Sequence, residues 1–430
     1  MALAMMFVLL FVLLVAGAPV AVALGVASLA FISTTGMPNL VVLHNMVNGI
    51  NSFPLIAVPF FILAGHLMNT AGITTRIFNF ARATVGWLHG GLGHVNVGAS
   101  IIFAGMSGAA TADAGGLGNI EIKAMRDAGY DTDFSVGITA ASSTIGPIIP
   151  PSLPLVIYGV IADTSIGQLF VAGMIPGLLM ALALMTMVFF FARIRGYPRD
   201  DRFSPRVFLR SFGDAILPLF TPVIIVGGIL TGAFTPTEAA IAAVVYSMFL
   251  GVFVYRTLDF RRVLKVSMDT IETTASIMLI VAASAIFAWI LTANQVAQVF
   301  ADRLLGLTEN PTMVLLIILL IVLVVGCFME TIAAITILTP VLLPVAVTVG
   351  VDPVHFGIIL ILNLMIGLLT PPVGMVLYVL SKVARVPFER CVVATAPFLV
   401  PLLVVLLLLT FIPSLSMWLP TLLYRQPVAG

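Results

Sequence analysis

Charge and cysteine are both scarce in this chain. Only 9% of its 430 residues are charged, and the formal net charge is +1. No basic face can therefore gather the phosphate contacts that nucleic acid requires, which excludes nucleic-acid binding. The two cysteines, Cys327 and Cys391, lie in or beside apolar runs and show no metal-ligand spacing. Neither a zinc site nor a disulfide is expected.

Apolar residues make up 61% of the chain. Polar residues are too few to cover them in water, so the lipid bilayer is the expected solvent. A helix needs about 20 mostly apolar residues to cross about 30 Å of hydrocarbon. The chain is therefore predicted to be an all-α, multi-pass membrane protein. Seven continuous spans are predicted, at 2–34 with Pro19 as a point of bending, 54–75, 168–192, 213–231, 236–255, 266–292 and 390–412.

The apolar start of the chain, residues 1–18, ends in Ala16-Gly17-Ala18, a pattern of the kind that signal peptidase cleaves. It lacks a basic n-region, so a retained span is favoured over a cleaved signal. The segment that follows, Thr34 to Asn51, is too polar to span and is expected at the outer surface.

Lys and Arg fall in alternate connections, which predicts that those connections are cytoplasmic. The basic clusters lie at Arg76 and Arg82, Lys123 and Arg126, 193–210, 256–265 and 382–390.

Four further apolar segments are interrupted by residues that a lipid-facing helix avoids. They form two pairs, and each pair predicts a re-entrant helical hairpin followed by a discontinuous helix. The segments are 94–128 interrupted at 105–116, 134–161 interrupted at 146–152, 311–348 interrupted at 326–331, and 354–381 interrupted at 367–372.

The two pairs match at a constant shift of 221 residues. Ile145-Gly146-x-x-x-Pro150-Pro151 corresponds to Ile366-Gly367-x-x-x-Pro371-Pro372, and Gly129-Tyr130-Asp131 corresponds to Gly350-Val351-Asp352. The chain thus contains an internal repeat.

Charge indicates that the second copy is inverted. Lys123 and Arg126 place the base of the first hairpin in the cytoplasm, whereas Glu309, Asn310 and Asp352 give the second base no positive charge. Five predicted crossings separate the two copies, and an odd number inverts the second. The chain divides into an N-terminal span and outer segment (1–53), repeat 1 (54–192), a cytoplasmic loop with connecting spans (193–265) and repeat 2 (266–430).

Broken helices at membrane depth leave backbone groups that protein, water or a ligand must satisfy. Freed carbonyls and hydroxyls suit a desolvated sodium ion, and half-helix N-termini suit a carboxylate. Asp113 and Glu330 are candidate site residues because intramembrane charge is costly, with a helix N-cap as the alternative role for each. Asn363, Glu238, Asp269 and Glu272 are weaker candidates, and Ser142, Ser143 and Thr144 are expected to bond their own helix.

The chain resembles the large membrane subunit of tripartite ATP-independent periplasmic (TRAP) transporters over almost its whole length. The resemblance rests on residues 90–97, 103–108 with Ala112-Asp113, 116–122, 140–152, 234–240 and 367–374. The resemblance implies a transporter and not an enzyme. It implies sodium-driven uptake of a small organic acid across a bacterial inner membrane by an elevator motion. It also implies a periplasmic substrate-binding protein and a small four-helix membrane subunit. No such segment precedes residue 1, so a separate small subunit is expected.

The resemblance also implies site residues. By resemblance, one sodium site of the family corresponds to Ser107, Gly146, Ile149 and Pro151 of this chain. The other corresponds to Gly326, Gly367, Thr370 and Val373. Most of these residues are expected to supply backbone carbonyls. The substrate is expected between the two sites, at Asp113, Ala109, Ser152 and Glu330. Family members often have Ser where this chain has Ala104 and Ala109, which leaves the hydroxyl count of the first site open.

Three other functions are alternatives to a tripartite transporter. An intramembrane aspartyl protease would need Gly-x-Gly-Asp, but Gly116-Leu117-Gly118 is followed by Asn119. A stand-alone sodium:dicarboxylate symporter uses similar hairpins and differs in needing no binding protein. A purely structural subunit would bind no ion. The sequence does not separate sialic acid from a C4-dicarboxylate or another acid.

Overall fold

A computed structural model describes residues 2–198, 203–306, 308 and 310–424, without the side chains of 105–107 and 305. In these residues the chain forms twenty α-helices and no strand. Residues 199–202 of the expected cytoplasmic loop and Glu309, used above for orientation, lie outside the described residues.

The N-terminal part contains three helices: α1 (Ala2–Val15), α2 (Val20–Thr34) and α3 (Leu40–Ile50). The predicted single span at 2–34 is wrong. Gly17 has φ +83°, and the N–H groups of Ala18 and Gly17 donate to the carbonyls of Leu13 and Leu14, a Schellman motif that ends α1. The helices α1 and α2 then pack side by side. Because Pro19 cannot continue the helix and Gly17 reverses it, two short helices replace one bent span.

The first repeat contains seven helices. They are α4 (Ala57–Thr70), α5 (Ile73–Val85), α6 (Gly91–Ser107), α7 (Ala110–Asp127), α8 (Thr132–Ser143), α9 (Leu153–Ile161) and α10 (Ile166–Arg195). Two connecting helices follow, α11 (Pro205–Leu230) and α12 (Pro236–Phe249), the latter continued by a π-helical turn to Val254.

The second repeat contains α13 (Phe260–Ala293), α14 (Val296–Leu305), α15 (Pro311–Gly326), α16 (Thr331–Thr348), α17 (Pro353–Gly367), α18 (Met375–Ala384) and α19 (Phe388–Phe411), and α20 (Ser414–Leu423) follows. Six of the seven predicted spans are confirmed as long apolar helices. The seventh helix of sufficient length in the described chain is α16, which belongs to the second hairpin.

The 221-residue shift extends beyond the interrupted segments. It superposes α7 on α16 at both ends, and α8 and α17 at their first residues. It also relates α5 to α14 and α10 to α19 within a few residues at each end. Gly129 and Gly350 share a positive φ, and Pro150-Pro151 and Pro371-Pro372 are both cis. The repeat therefore covers most of each half of the protein.

Contacts at the two ends of the bundle show the inversion. Where α7 passes into α8, Arg126 donates a hydrogen bond to the Ala384 carbonyl (2.7 Å), and Asp131 pairs with Arg195 (3.2 Å). The matching corner between α16 and α17 lies at the opposite end, where the Tyr158 hydroxyl donates to the Pro353 carbonyl (2.6 Å). The basic residues cluster at the first end, which is therefore cytoplasmic by the positive-inside rule.

The two repeats interlock. Helix α7 of the first repeat packs against α18 of the second repeat, and α16 of the second repeat packs against α9 of the first repeat. These two contacts are equivalent under the repeat relation, because α7 corresponds to α16 and α9 to α18. The second arm of each hairpin thus rests on the short half-helix of the other repeat, which brings both tips to the centre.

Candidate functional site

The hairpin tips and the helix breaks meet around one central cavity of about 40 Å³. Both tips and both discontinuous helices contribute to its lining: Ala109, Ala110, Thr111, Pro147, Leu153, Pro154, Glu330, Thr331, Ile332, Met365, Leu368 and Met375. Such a volume holds a water molecule but not an organic acid. The tips must separate to admit a substrate of that size.

The breaks in the hairpins are shorter than expected. The first hairpin is interrupted only at Gly108 and Ala109, since α7 already includes Thr111 and Asp113. The predicted interruption at 105–116 is therefore wrong over most of its length. Gly115 and Gly116 lie within α7, and Cβ atoms there would make only ordinary contacts, 3.5 Å from Val379 and 3.9 Å from Asn69, so neither glycine marks a break in the helix.

At the first break, the tip of hairpin 1 rests on the backbone between α8 and α9. A Cβ at Gly108, whose φ is +58°, would lie 2.9 Å from the Pro151 carbonyl oxygen. The Ile149 side chain packs against α10, where a Cβ at Gly177 would lie 2.2 Å from it. Ile149 can therefore present only its backbone to the break. The side chain of Ser107 lies outside the described residues.

At the second break, the end of α15 touches the end of α17. A Cβ at Gly367 would lie 2.7 Å from Gly326 Cα, and the Val373 N–H donates to the Cys327 carbonyl (3.2 Å). The Thr370 hydroxyl donates to the Ile366 carbonyl (2.6 Å). The structure thus brings together the residues predicted for the second sodium site.

Both breaks expose carbonyl oxygens. Those of Gly146, Ile149 and Pro151, and those of Thr370 and Val373, accept no hydrogen bond from the described residues. Unpaired backbone groups at membrane depth cost several kcal/mol unless a partner is supplied. Two clusters of hard oxygen donors of this kind are suited to a sodium ion.

Two helix N-termini face the cavity from opposite sides. The first residues of α7 and of α16 line it, and Ala109 and Glu330 hold equivalent N-cap positions. The Glu330 carboxylate accepts from the N–H groups of Ile332 (2.8 Å) and Ala333 (3.2 Å). The N-cap role is thus observed for Glu330, which also lines the cavity. Ala109 has no side-chain acceptor, so it offers α7 no such cap.

Two predicted substrate residues do not reach the cavity. Ser152 is fully buried, caps α9 by accepting from the Leu155 N–H (3.2 Å), and donates to the Pro147 carbonyl (2.5 Å). Asp113 is 2% exposed and lies among α6 and α7 beside Ser100. The structure thus places neither side chain on the closed cavity, because the helical start of α7 turns Asp113 into the hairpin interior, and their contact with substrate stays a prediction.

Of the weaker candidates, Glu238 and Asn363 have structural roles, whereas Asp269 and Glu272 are exposed on α13. Glu238 forms a capping box with Thr235 at the start of α12. Asn363 donates to the Leu319 carbonyl (2.6 Å). Ser143 and Thr144 donate to carbonyls three residues back, as expected (2.8 and 2.6 Å).

Sequence reasoning missed one polar cluster inside hairpin 1. Asn96 donates to the Glu121 carboxylate (2.7 Å) and to the Thr139 hydroxyl (2.7 Å), and Ser142 donates to Asn96 (2.6 Å). The signal was Glu121 itself, an intramembrane carboxylate, together with Asn96 on the preceding apolar helix.

The inverted repeats, the paired hairpins and the central cavity define a membrane transporter subunit. The family model described as "Tripartite ATP-independent periplasmic transporter, DctM component" matches residues 7–415. The chain therefore belongs to the DctM family of TRAP transporter large permease proteins. It is a multi-pass inner-membrane transporter permease subunit and not an enzyme.

Named relatives agree. The sialic acid TRAP transporter large permease protein SiaM of Vibrio cholerae is 51% identical over 95% of this chain and 96% of its own length. The sialic acid TRAP transporter permease protein SiaT of Haemophilus influenzae is 44% identical, over 95% of this chain but 66% of its own length. The C4-dicarboxylate large permease protein DctM of Pseudomonas aeruginosa is 42% identical over 86% of each chain.

A solved structure shares the fold. The Alcanivorax borkumensis YdaH transporter, whose crystal structure is described as revealing an unusual topology, has a TM-score of 0.61 over 87% of this chain and 88% of its own. The sequence identity is 14%, so the likeness concerns the fold alone.

Proposed function

We propose that this protein couples sodium entry to the uptake of a small carboxylate across the inner membrane. The observation that supports the proposal is the pairing of open carbonyls at the two breaks with two helix N-termini at the cavity between them. Carbonyl oxygens favour Na⁺, and each helix N-terminus carries roughly half a positive charge that favours a carboxylate. Bound sodium adds further positive charge beside the anion, so each ligand strengthens the binding of the other.

The motion we propose is that of an elevator. Because α7 rests on α18 and α16 on α9, the hairpins and half-helices are tied into one packed unit. The long apolar helices α11 and α12 pack chiefly on each other and on α5 and α4, and suit a fixed scaffold. The cavity, about 40 Å³ with the tips together, opens when a tip moves aside.

The substrate proposed for the first test is sialic acid, with a C4-dicarboxylate second. The relative with 51% identity is named for sialic acid and one with 42% identity is named for C4-dicarboxylates. We further propose that a periplasmic binding protein delivers the acid and that a small four-helix membrane subunit completes the complex. The greater length of SiaT, of which this chain covers 66%, is consistent with a fused partner in that relative.

The test is uptake of labelled acids into proteoliposomes that contain this chain and its small partner. The sodium gradient and the binding protein are each present or absent, and each acid is tested separately. Uptake that needs both supports the proposal. Sodium-driven uptake without the binding protein supports the stand-alone symporter instead, and uptake indifferent to sodium contradicts the coupling.

A further inference from the structure

Hairpin 1 contains a buried polar cluster that the proposed function does not use. Asp113 and Glu121 on α7 are 2% and 1% exposed, and Asn96 and Ser100 on α6 are 0% and 1% exposed. A Cβ at Gly118 would lie 2.8 Å from Thr139, so α7 and α8 approach closely at this level. At the same level, one turn further along α7, Asn96 on α6 donates both to Glu121 and to Thr139 on α8.

The cluster is only partly satisfied by the protein. Asn96 donates to one oxygen of Glu121 (2.7 Å). Within the described part of the chain, the other oxygen of Glu121, one oxygen of Asp113 and the Ser100 hydroxyl make no hydrogen bond, although Ser100 faces Asp113 and the two carboxylates are close enough to repel each other. Three buried polar atoms in this hairpin are thus left unsatisfied.

Among the described residues, no positive side chain forms an ion pair with either carboxylate. The ion pairs of the described chain, Asp131–Arg195 and Asp133–Arg390, lie at the cytoplasmic face. A buried charge without a partner costs several kcal/mol, and two like charges cost more than one. At least one positive charge must therefore be bound when the cluster is enclosed.

The second repeat shows that the fold does not require these residues. At the shift of 221, Asp113 corresponds to Ala334, Glu121 to Leu342, Asn96 to Ile317, Ser100 to Ile321 and Thr139 to Leu360. The second repeat has the same bounds for the second hairpin arm, bounds within two residues for the first arm, and apolar side chains at all five positions. A merely structural role for the cluster is thus contradicted by an equivalent hairpin that lacks it.

We propose that Asp113 and Glu121, with Ser100 and Asn96 as their polar neighbours, form a third cation site, in which one of the two carboxylates binds one Na⁺ or one proton during transport. The inference rests on the proposed ion coupling and adds a site apart from the two helix breaks. The ligands would be carboxylate and hydroxyl oxygens, which are hard donors suited to either cation, while the Asn96 amide holds Glu121 in place through its NH₂ group. A single positive charge there offsets the repulsion between the two carboxylates.

The site is placed to act on the substrate cavity. The Asp113 N–H donates to the carbonyl of Ala109 (3.1 Å), and Ala109 lines the cavity. A cation on Asp113 therefore cancels a negative charge in the first turn of α7, whose N-terminus is proposed to meet the carboxylate. Loss of the cation would restore that charge and weaken binding of the carboxylate.

Apart from His94, the following titratable groups on the surrounding helices are engaged or lie at the cytoplasmic side. On α6, His94 is buried and its ring nitrogens have no partner in the described chain. On α8, Asp133 pairs with Arg390, and on α5, Arg76 donates to the Gly72 carbonyl (2.9 Å). Further charges on these helices lie at the cytoplasmic side: Arg82 on α5, Lys123, Arg126 and Asp127 on α7, and Lys382 on α18.

The experiment compares the complex with Asp113→Asn and Glu121→Gln variants. A second pair, Asp113→Ala and Glu121→Leu, introduces the residues of hairpin 2, and Glu272→Gln on the exposed face of α13 controls for loss of a carboxylate. Reversal potentials give the number of Na⁺ per acid, and a trapped pH dye reports protons. Equilibrium binding of ²²Na⁺ to the purified complex counts sites without requiring transport.

A loss of one Na⁺ per acid, or of one bound ²²Na⁺, with the control unchanged supports the site as a sodium site. Loss of acid-linked proton entry with the sodium count unchanged supports it as a proton site. If sodium count, bound sodium and proton entry all equal the wild-type values, the third site is refuted. If wild-type uptake itself does not depend on sodium or pH, the proposed coupling fails. That result is obtained before any variant is measured.

Discussion

Gly367 provides the sharpest test of the second sodium site. A Cβ at this position would lie 2.7 Å from Gly326 Cα and 2.6 Å from its carbonyl carbon, whereas ordinary contact begins at 3.4 Å. Gly367→Ala must therefore move the end of α15 from the break by about 0.7 Å. Both sides of the contact are backbone, so no flexible side chain can absorb the shift. Overpacking of this kind costs about 1–3 kcal/mol.

That displacement exceeds the roughly 0.2 Å within which metal-ligand distances are held. If the cost falls on sodium binding, the sodium concentration for half-maximal uptake rises by about 5- to 150-fold. The assay is sodium-dependent uptake in proteoliposomes, with thermal unfolding of the complex recorded in parallel. Gly227→Ala is the matched control, since a Cβ there meets nothing within 4 Å. Unchanged sodium dependence in Gly367→Ala, or an equal loss in the control, would refute the packing argument.

Three further predictions concern single side chains. Thr370→Ala weakens sodium coupling, whereas Thr35→Ala does not. The control is matched because both hydroxyls donate to a carbonyl four residues back. Equal effects of the two variants on sodium-dependent uptake would count against the site. Glu330→Ala removes the α16 cap and lowers the stability of the complex by about 0.5–2 kcal/mol, measured by thermal or denaturant unfolding. Glu330→Gln keeps an acceptor and lowers the stability by less. The reverse order of the two variants would contradict the capping role. Asp133→Asn removes a half-exposed ion pair with Arg390 and changes stability by less than about 1 kcal/mol, so a larger drop in unfolding temperature would show that this pair is more than a surface contact.

Much of the architecture follows from patterns that are local in sequence. Apolar length predicted six spans, and the spacing of Gly and Pro predicted the repeat whose 221-residue shift the helices reproduce. Basic residues predicted the inversion that contacts at Arg126 and Tyr158 show. These features depend on composition and periodicity, which a single chain displays.

What could not be predicted depends on direction and packing. Hydropathy cannot distinguish one bent span from the α1–α2 hairpin, because both are equally apolar. The small residues from Gly105 to Gly116 predict an open tip. The structure is nevertheless helical from Ala110 onward, because small residues are compatible with a helix. The direction in which Asp113 and Ser152 point depends on where α7 and α9 begin, and one residue changes it by about 100°.

The partners of buried polar residues are equally invisible in sequence. Glu121 and Asn96 are 25 positions apart and meet only because α6 and α7 fold back on each other. The sodium ligands are mostly carbonyls, which every residue has, so side-chain identity alone cannot reveal them.

The most direct test of the central claim is cryo-electron microscopy of the complex with its small subunit, in sodium and in potassium, with the transported acid present. The account predicts sodium-dependent density within coordination distance of the carbonyls of Gly146, Ile149 and Pro151 and of those of Gly367, Thr370 and Val373, with the acid between the N-termini of α7 and α16. Density that is the same in both salts, or an acid bound away from both helix N-termini, would contradict it.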